Sequence, residues 1–527
     1  MFDESAHLPA WVRRQDGSQE PFDADRISQS LFAAAESLGS PNAFLARELT
    51  DAVVHFLGQE SWSSPPTTAT IAEHVEKVVR EVGHPSLARR YAELRARRAI
   101  AEPGPRRLMI SFTPGGPGYL EDCLTAYARE ATFSRDVAAA MQEGLLSVRG
   151  SIAPNSLARL LVKSPRFTEQ PWWLALDDWR TCGGDRWIVE SPEWLCGHHM
   201  HPAMTPILCE RLLSLPTIAE RAVELHLNVH EPPTWSAGAL NSPLFLASDE
   251  EPAQQERSNF LDGLLERWRT LDAPRLPILA WHVHERTFED DTERRQLETL
   301  LSLAIQGKPV QFHFDRPRQL IAYGGGVDRK TPGLLLELGV DLVALANRPE
   351  IANDGAILLK KLPCLARMAV SAAAQKRQAL RALPDSSPLK QRFLIDRSAS
   401  LIVPTGVETV VHTITGATMT QSRLSHDLAI RLVQTLRSAL HAAGAGVNLD
   451  MRLECPAFSR EAGTLANAFT NVVADARVDG AGVLSLDSMG ENSVSAIDLV
   501  RRCHEQSAIT RLSLQRSTVQ QGELAIA

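Results

Sequence analysis

Long apolar runs, paired cysteines and an excess of basic charge are all missing from this chain of 527 residues. No stretch approaches the roughly 20 consecutive apolar residues that a membrane-spanning helix needs, so a membrane role has no support. The net charge of −8 and the pI near 6.1 give no general attraction to nucleic acid or to anionic membranes. Any anion binding must therefore be local.

Cysteine spacing and the first residues argue against a secreted, disulfide-built protein. The seven cysteines are scattered without paired spacing, and Met1 to Ser5 have neither a basic stretch nor an apolar one. We expect a reduced, cytoplasmic protein. With 44% hydrophobic residues, the chain is long enough for a small module plus one large domain or two medium ones.

The segment from Trp11 to Ile27 has the sequence signals of a turn, two short strands and a helix start within few residues. Asp16-Gly17 predicts a hairpin, because glycine tolerates the positive φ that a two-residue turn demands. Asp23 precedes apolar residues at helical spacing and predicts the N-cap of a helix ending near Gly39.

Arginines lie on both sides of this hairpin. Arg14 and Arg26 are expected close together beside a helix start, whose unpaired N–H groups attract polyphosphate. Thr67-Thr68 predicts the cap of a second helix, and a last helix is expected from Pro85. The plainer alternative is a small helical domain with solvated surface arginines.

The joint spacing of these elements, from about Trp11 to Ile100, resembles an ATP-cone, the regulatory nucleotide-binding module of ribonucleotide reductases and of repressors of reductase operons. The matching residues are Val12-x-Arg14-x-Asp16-Gly17-x-x-Glu20-x-Phe22-Asp23-x-x-Arg26-Ile27, then Thr68-x-x-Ile71, then Gly83-His84-Pro85-x-x-Ala88-x-x-Tyr91.

The resemblance implies that the module binds ATP or dATP with Mg²⁺. The residues implied to contact the nucleotide are Val12 and Ile27 at the adenine, Arg14 and Arg26 at the phosphates, Glu20 as a carboxylate near the nucleotide, and Thr68 at a helix start. Gln15 departs from the family, since many cones have a second basic residue just before the Asp-Gly turn.

A short linker is expected after the cone, because two prolines around a glycine cannot continue its last helix. We divide the chain into a cone at 9–101, a linker at 102–108 and a large domain at 109–527. Apolar spacing predicts helices at about 121–146, 154–163, 203–213, 255–270, 290–306, 365–383 and 422–443. Strand-like runs lie at 224–230, 278–284, 309–314 and 399–403. Their alternation with helices favours an α/β architecture.

Histidines recur on one face of three of these strand-like runs. His226 and His230 share one face of the first run, His282 and His284 share one face of the second, and His313 lies in the third. Neighbouring strands would bring the imidazoles to one cavity, able to hold a metal or an anionic ligand. Because we expect no carboxylate in phase with them, the favoured interpretation is partly buried histidines bonded to backbone or water.

Two further motifs are weaker. Cys196-Gly197-His198-His199-Met200-His201 crowds its possible metal ligands into one turn, without a distant partner at zinc spacing, and is interpreted as a polar loop. Gly324-Gly325-Gly326 lies beside basic residues but fits neither glycine-rich phosphate motif. A flexible turn is expected there.

The large domain is similar, in the order of several segments, to the anaerobic, glycyl-radical ribonucleotide reductases. Those segments are Phe133-Ser134-Arg135-Asp136-Val137-Ala138, Asn228 to Trp235, Gly326 to Pro332 with Leu338 to Leu342, and Val403 to Val410 before Thr415-Gly416. The similarity implies a ten-stranded α/β barrel behind the α+β cone.

The radical residues of that family are not found. It needs a glycine in an Arg-x-x-Gly-Tyr-like loop near the C-terminus and a cysteine on a finger loop inside the barrel. Here Gly522 lacks the flanking pattern, and no cysteine lies between Tyr323 and Arg329. The paired cysteines of the family's terminal zinc site are also missing. We expect a degenerate barrel with no catalytic residues and no redox cofactor.

These features together predict an ATP- or dATP-binding regulatory protein. Cones act by changing subunit contacts, so a nucleotide-dependent homo-oligomer is expected, without nucleic-acid or membrane partners. One alternative is an enzyme, either a divergent anaerobic ribonucleoside-triphosphate reductase or another activity in a histidine-lined cavity. A repressor is disfavoured, because the sequence has no zinc ribbon and no basic surface of the usual kind.

Overall fold

A hairpin and four helices make up the N-terminal unit of the computed structural model. The model describes residues 8–98, 119–149, 155–162, 183–195, 205–219, 221–230, 250–273, 275–316, 321, 323–419, 421–459, 478–485, 493–506 and 509–515. The unit comprises β1 (Trp11–Arg13), β2 (Gln19–Pro21), α1 (Asp25–Ser37), α2 (Ala43–Gln59), α3 (Thr68–Glu81) and α4 (Pro85–Arg98). The strands are antiparallel, and Gly17 has φ +85°. The loop is longer than the two-residue turn expected, because the N–H of Arg14 donates to Ser18 O at 2.8 Å and the N–H of Gly17 donates to Arg14 O at 3.1 Å.

The helix starts of this unit follow the sequence closely. The Asp23 carboxylate accepts a hydrogen bond from the backbone N–H of Asp25 at 3.0 Å, although the N-cap position itself is Ala24, one residue later than predicted. Thr67 caps α3 by accepting the N–H of Thr70 at 3.1 Å. The sequence analysis missed α2 entirely.

Ten strands of the large domain close into a hydrogen-bonded ring. The strands of the domain are β3 (Leu146–Val148), β4 (Arg159–Val162), β5 (Arg186–Glu190), β6 (Ala222–Leu227), β7 (Ile278–Val283), β8 (Val310–Phe314), β9 (Gly333–Asp341), β10 (Ala399–Thr405), β11 (Met451–Ser459), β12 (Val478–Ser485) and β13 (Arg511–Gln515). Strands β4 to β8 pair in parallel, and so do β9 to β13. The two halves meet antiparallel at β8–β13 and β4–β9, while β3 adds to the outside of β9.

Helices connect and cover these strands. They are α5 (Tyr119–Thr132), α6 (Arg135–Gln142), α7 (Thr205–Ala219), α8 (Glu250–Thr270), α9 (Asp291–Ile305), α10 (Leu342–Ala346), α11 (Gly355–Arg381), α12 (Pro388–Arg392), α13 (Val407–Thr415), α14 (Arg423–Gly446) and α15 (Ser493–Gln506). The α/β prediction is confirmed. None of the described helices combines the length and apolar character needed to cross a bilayer.

Two of the predicted helices are wrong in detail. The helix expected at 154–163 is replaced by β4, whose four residues are all buried. A short strand that is apolar on both faces has no period that separates it from a helix. The helix expected at 121–146 is two helices, α5 and α6, which break at Phe133 and Ser134.

Side chains of the ring alternate between two apolar layers, because successive strand residues face opposite sides. One layer, with Trp187, Trp281 and Phe312, packs between the strands and the helices. A smaller cluster, with Leu161 and Leu401, lies on the other face and therefore inside the ring. The interior of the ring is therefore filled by side chains.

The β8–β9 connection enters this interior. Ile321, Tyr323 and Val327 belong to the inner apolar cluster and are buried. The triple glycine between them has φ values of +72°, +55° and +76°, so it forms a tight left-handed turn. The structure has the expected turn, and its three glycines are buried.

Candidate functional site

Three of the predicted nucleotide residues meet on the surface of the N-terminal unit. The guanidinium groups of Arg14 and Arg26 both donate to the carboxylate of Glu20, the latter from Nη1 to Oε1 at 2.6 Å. The hydrogen bond from Arg14 is the main reason that the pKa of Glu20 is lowered. The side chains of Arg14 and Arg26 are 47% and 55% exposed, so both can be reached from solvent.

The other three predicted residues lie around the same place. Val12 and Ile27 are buried in the core of the unit, 7% and 6% exposed. Thr68 is the first residue of α3, and the hairpin reaches this helix start because the N–H of Arg13 donates to Pro66 O at 2.9 Å. The hairpin and the starts of α1 and α3 therefore converge. Contact with a nucleotide stays a prediction.

A buried ion-pair cluster joins this unit to the large domain. Nη1 of Arg47, on α2, lies 2.7 Å from Oδ1 of Asp25, and its Nη2 lies 2.9 Å from the Ser371 hydroxyl of α11. Ser371 also donates to Asp25, and Asp136 of α6 lies 3.9 Å from Arg47. Arg47 is only 4% exposed. We call these four residues the junction cluster.

Opposite charges continue this contact along α2 and α11. The Arg367 guanidinium of α11 lies 2.7 Å from the Asp51 carboxylate of α2, and Lys361 of α11 donates to Glu48 of α2. The apolar core also runs without interruption from one unit to the other. A displacement of α1 or α2 must therefore change the contacts of α11.

Three imidazoles converge inside the barrel, on neighbouring strands. Nδ1 of His226 lies 3.0 Å from Nε2 of His282, and the rings of His226 and His313 are 4.7 Å apart. One nitrogen of each lies within 4.8 Å of the others. Burial lowers the pKa of His226 to about 4 and that of His313 well below its usual value. We call these residues the histidine cluster.

The expectation that no carboxylate lies in phase with these histidines is wrong. Oε2 of Glu224, two residues before His226 on β6, lies 3.3 Å from Nε2 of that histidine. Oδ2 of Asp315, just beyond β8, lies 2.9 Å from Nδ1 of His282. Residues two apart on a strand share a face, so the position of Glu224 beside His226 could have been predicted from the sequence. The placement of Asp315 depends on the pairing of β7 with β8.

The other two candidate histidines, His230 and His284, do not join the cluster. Strands β6 and β7 end before them, at Leu227 and Val283. The two rings lie 4.7 Å apart, and Nε2 of His230 lies 2.8 Å from the Glu293 carboxylate. The predicted set of four is thus divided into two places.

Charged groups fill much of the remaining interior. Arg159 Nε lies 2.9 Å from Glu337 Oε2, and Arg186 Nη1 lies 2.8 Å from Glu224 Oε1. Burial alone would raise the pKa of Glu224, but its hydrogen bond from His226 and the charges of Arg186 and Arg159 lower it well below the usual value. Glu224 is therefore ionised at neutral pH.

The glycine turn touches this network. A side chain at Gly325 would place its Cβ 2.2 Å from Cζ of Arg159, which no real contact allows. Beside it, the Tyr323 hydroxyl donates to Glu190 and lies 3.2 Å from Nε of Arg329. Burial raises the pKa of Tyr323, so its hydroxyl keeps its proton. The described residues of the connection therefore present a tyrosine to the interior, and the sequence of the connection contains no cysteine.

A buried carboxyl lies close to the barrel strands. Oε1 of Glu193 accepts the backbone N–H of Asn228 at 2.7 Å, while its Oε2 has no hydrogen-bond partner among the described residues. Burial raises the pKa of Glu193 to about 8. The folded protein thus holds a proton there that the unfolded chain releases.

Replacing Glu193 with glutamine should remove a pH dependence of stability. A raised folded-state pKa gives stability that is complete at low pH and lost as pH rises through the window between the two pKa values. Between about pH 5 and pH 7, we expect the parent to lose about 2–3 kcal/mol relative to Glu193→Gln. Urea unfolding of both proteins at each pH measures this difference, in which other titrating groups cancel. Parallel stability curves would contradict the assignment.

Three sequence features lie outside the described residues. They are the linker at 102–108, the Cys196–His201 motif and Gly522. The domain boundaries and the interpretation of that motif as a polar loop accordingly stay predictions.

Known proteins resemble both units of the chain. Residues 11–100 match the ATP cone domain family, whereas no curated protein matches the chain. The structure of an anaerobic ribonucleotide reductase superposes on 95% of this chain and 90% of its own, with a TM-score of 0.53 and 9% identity.

The anaerobic ribonucleotide reductase from Thermotoga maritima in complex with dATP and CTP gives a TM-score of 0.52 and 10% identity over 81% of this chain and 85% of its own. The same enzyme with glycerol in the active site gives 0.52 and 8% over 75% and 83%. At such identities the likeness shows the fold. The chain is an ATP cone followed by a large domain with the anaerobic reductase fold.

Proposed function

We propose that this chain is a regulator that responds to adenine nucleotides. Its cone binds ATP or dATP with Mg²⁺ and transmits the nucleotide state to a barrel that does not itself reduce ribonucleotides. The observation that supports this most directly is a pair of adjacent residues at the start of α1. Arg26 binds Glu20 in the predicted nucleotide site, and Asp25 binds Arg47 and Ser371 in the junction cluster.

The chemistry of the site explains how the signal would pass. A triphosphate competes with Glu20 for the guanidinium groups of Arg14 and Arg26, because phosphate oxygens and carboxylates use the same donors. Moving Arg26 moves the first turn of α1 and with it Asp25. The nucleotide biases the junction to the extent that it binds one arrangement better than the other. A nucleotide-dependent homo-oligomer follows when the two arrangements expose different surfaces.

The absence of reductase chemistry is supported by the barrel interior and by the sequence. The resemblance implies a finger-loop cysteine near Tyr323 to Arg329, where the β8–β9 connection has none. The Tyr323 hydroxyl of this connection is bonded to Glu190. Gly522 lacks the pattern that stores a glycyl radical. Incubation of the chain with ribonucleotides and a candidate radical-generating partner should give no deoxynucleotide. Product formation would establish the alternative, a divergent reductase.

Replacing Arg14 with alanine should weaken ATP binding about ten- to a hundredfold, since a charged hydrogen bond to phosphate contributes about 1.5–3 kcal/mol. Isothermal titration calorimetry with ATP and dATP measures the change. Arg80→Ala is the matched control, because this exposed arginine lies at the other end of α3 and pairs with Glu76. An Arg14→Ala protein that binds as tightly as the parent contradicts the site.

The oligomer is tested separately, by light scattering of the full chain with ATP and with dATP. We expect the mass to differ between nucleotide-free protein and at least one of the two complexes. An unchanged mass with both ligands contradicts the assembly part of the proposal. The nucleotide site is tested independently by the calorimetry of Arg14→Ala.

A further inference from the structure

Two imidazoles of the histidine cluster face each other across a short nitrogen–nitrogen distance. Nε2 of His226 lies 3.3 Å from Oε2 of Glu224, a carboxylate oxygen placed to accept the hydrogen of that nitrogen. Asp315 likewise accepts from Nδ1 of His282 at 2.9 Å. The remaining nitrogens, Nδ1 of His226 and Nε2 of His282, are then both lone pairs, and they lie 3.0 Å apart. Two lone pairs at this distance repel unless a cation lies between them.

A third imidazole belongs to the same cluster, since one nitrogen of each of the three histidines lies within 4.8 Å of the others. Nε2 of His313 is buried and has no hydrogen-bond partner among the residues that the structure describes. Its ring lies 4.7 Å from that of His226 and 5.2 Å from that of His282. Buried polar atoms are nearly always satisfied, so an unpaired one indicates a missing ligand.

We propose that His226, His282 and His313 bind a divalent first-row transition-metal ion, with Zn²⁺ as the best match. At metal–nitrogen distances of 2.0–2.1 Å, two tetrahedral ligands lie about 3.3 Å apart, close to the spacing of His226 and His282. Three neutral imidazoles are a common zinc donor set and leave a fourth position for water or a small ligand. This inference is independent of the cone and goes beyond the proposed regulatory function.

The carboxylates behind the histidines have the arrangement that metal sites use. Asp315 orients His282, and Glu224 orients His226, each by accepting the hydrogen of the nitrogen that faces away from the cluster. Arg186 offsets the charge of Glu224 at 2.8 Å. A bound ion here would act as a Lewis acid on whatever occupies its open position.

Metal content and spectroscopy test the site directly. The full chain, purified without chelator, should contain stoichiometric metal by elemental analysis. After the metal has been removed with a chelator, added Zn²⁺ should raise the melting temperature of this stripped protein. Added Co²⁺ should give the visible absorption bands of a nitrogen-ligated, low-coordinate ion. Stripped protein that neither shifts its melting temperature with Zn²⁺ nor develops these bands overturns the proposal.

Two variants separate the site from surface binding. His313→Phe keeps the ring volume and removes the unpaired nitrogen, so the stripped protein should melt no lower than the parent while metal affinity falls at least tenfold. Asp315→Asn keeps all three ligands and should weaken metal binding about 10- to 100-fold. His412→Phe, on the exposed face of α13, is the control and should change neither quantity. Unchanged metal affinity in Asp315→Asn and His313→Phe places the metal elsewhere and overturns the assignment.

Discussion

Replacing Arg47 with methionine should lower the free energy of unfolding by about 3–5 kcal/mol, the usual cost of removing one partner from a buried ion pair. Arg47 is 4% exposed and lies 2.7 Å from Asp25 and 3.9 Å from Asp136. Methionine fills most of the volume but leaves both carboxylates without their guanidinium. The loss is therefore electrostatic rather than a packing defect.

A second substitution in the same contact is the matched control. Arg367→Met removes the ion pair with Asp51, but this arginine is 41% exposed. Exposed ion pairs contribute about 0–1 kcal/mol, so the control should be nearly neutral. Urea unfolding of both variants measures the contrast. Equal costs would show that the junction cluster is not the main electrostatic contact between cone and barrel.

The Arg47 variant also tests how the signal passes. If Asp25 and Arg47 transmit the nucleotide state, Arg47→Met should still bind ATP in calorimetry but lose the ATP-dependent change in mass. A variant that folds, binds ATP and still changes its assembly as the parent does would exclude this route.

Replacing Gly325 with alanine should cost about 3–5 kcal/mol of unfolding free energy. Its φ of +55° strains any L side chain, and the new Cβ would lie 2.2 Å from Cζ of Arg159. The Arg159 guanidinium would have to move away from Glu337 and Glu224. These buried carboxylates would then lose their ion pairs with it. The backbone and the ion pairs are therefore disrupted together.

Gly416→Ala isolates the backbone part of that cost. Gly416 has φ +76°, and nothing lies within 4 Å of the position its Cβ would take. Left-handed strain alone costs about 1–2 kcal/mol. Thermal and urea unfolding of both variants should show a clear excess for Gly325→Ala. Equal losses would mean that Arg159 yields readily and that the turn is not held by the charge network.

The cone was the most predictable part of the chain, because its signals are local. The Asp16-Gly17 turn and the Thr67 cap fix hairpin and helix within a few residues each. The missed helix α2 had a comparable signal, since Asn42 caps it by accepting the N–H of Leu45 at 2.9 Å. The charges that tie α2 to α11 could not be matched in advance, because the partners are more than 300 residues apart.

The histidine cluster shows where sequence reasoning ends. Alternation along a strand places Glu224 and His226 on one face, and this much can be read from the residues alone. Which strands are neighbours cannot, because helices intervene between parallel partners. The register that brings His282 opposite His313 arises from pairing in the folded sheet.

The two antiparallel seams of the ring join residues that are distant along the chain, Arg159 with Leu334 and His313 with Arg511. Contact order this high slows folding, since long loops must close before either seam gains its hydrogen bonds. Until β13 emerges from the ribosome, the first half-barrel exposes β8 as an open edge, whose unpaired backbone groups can pair with another chain. Newly made chains should therefore depend on chaperones at this stage, and aggregation during synthesis should be the main hazard of overexpression.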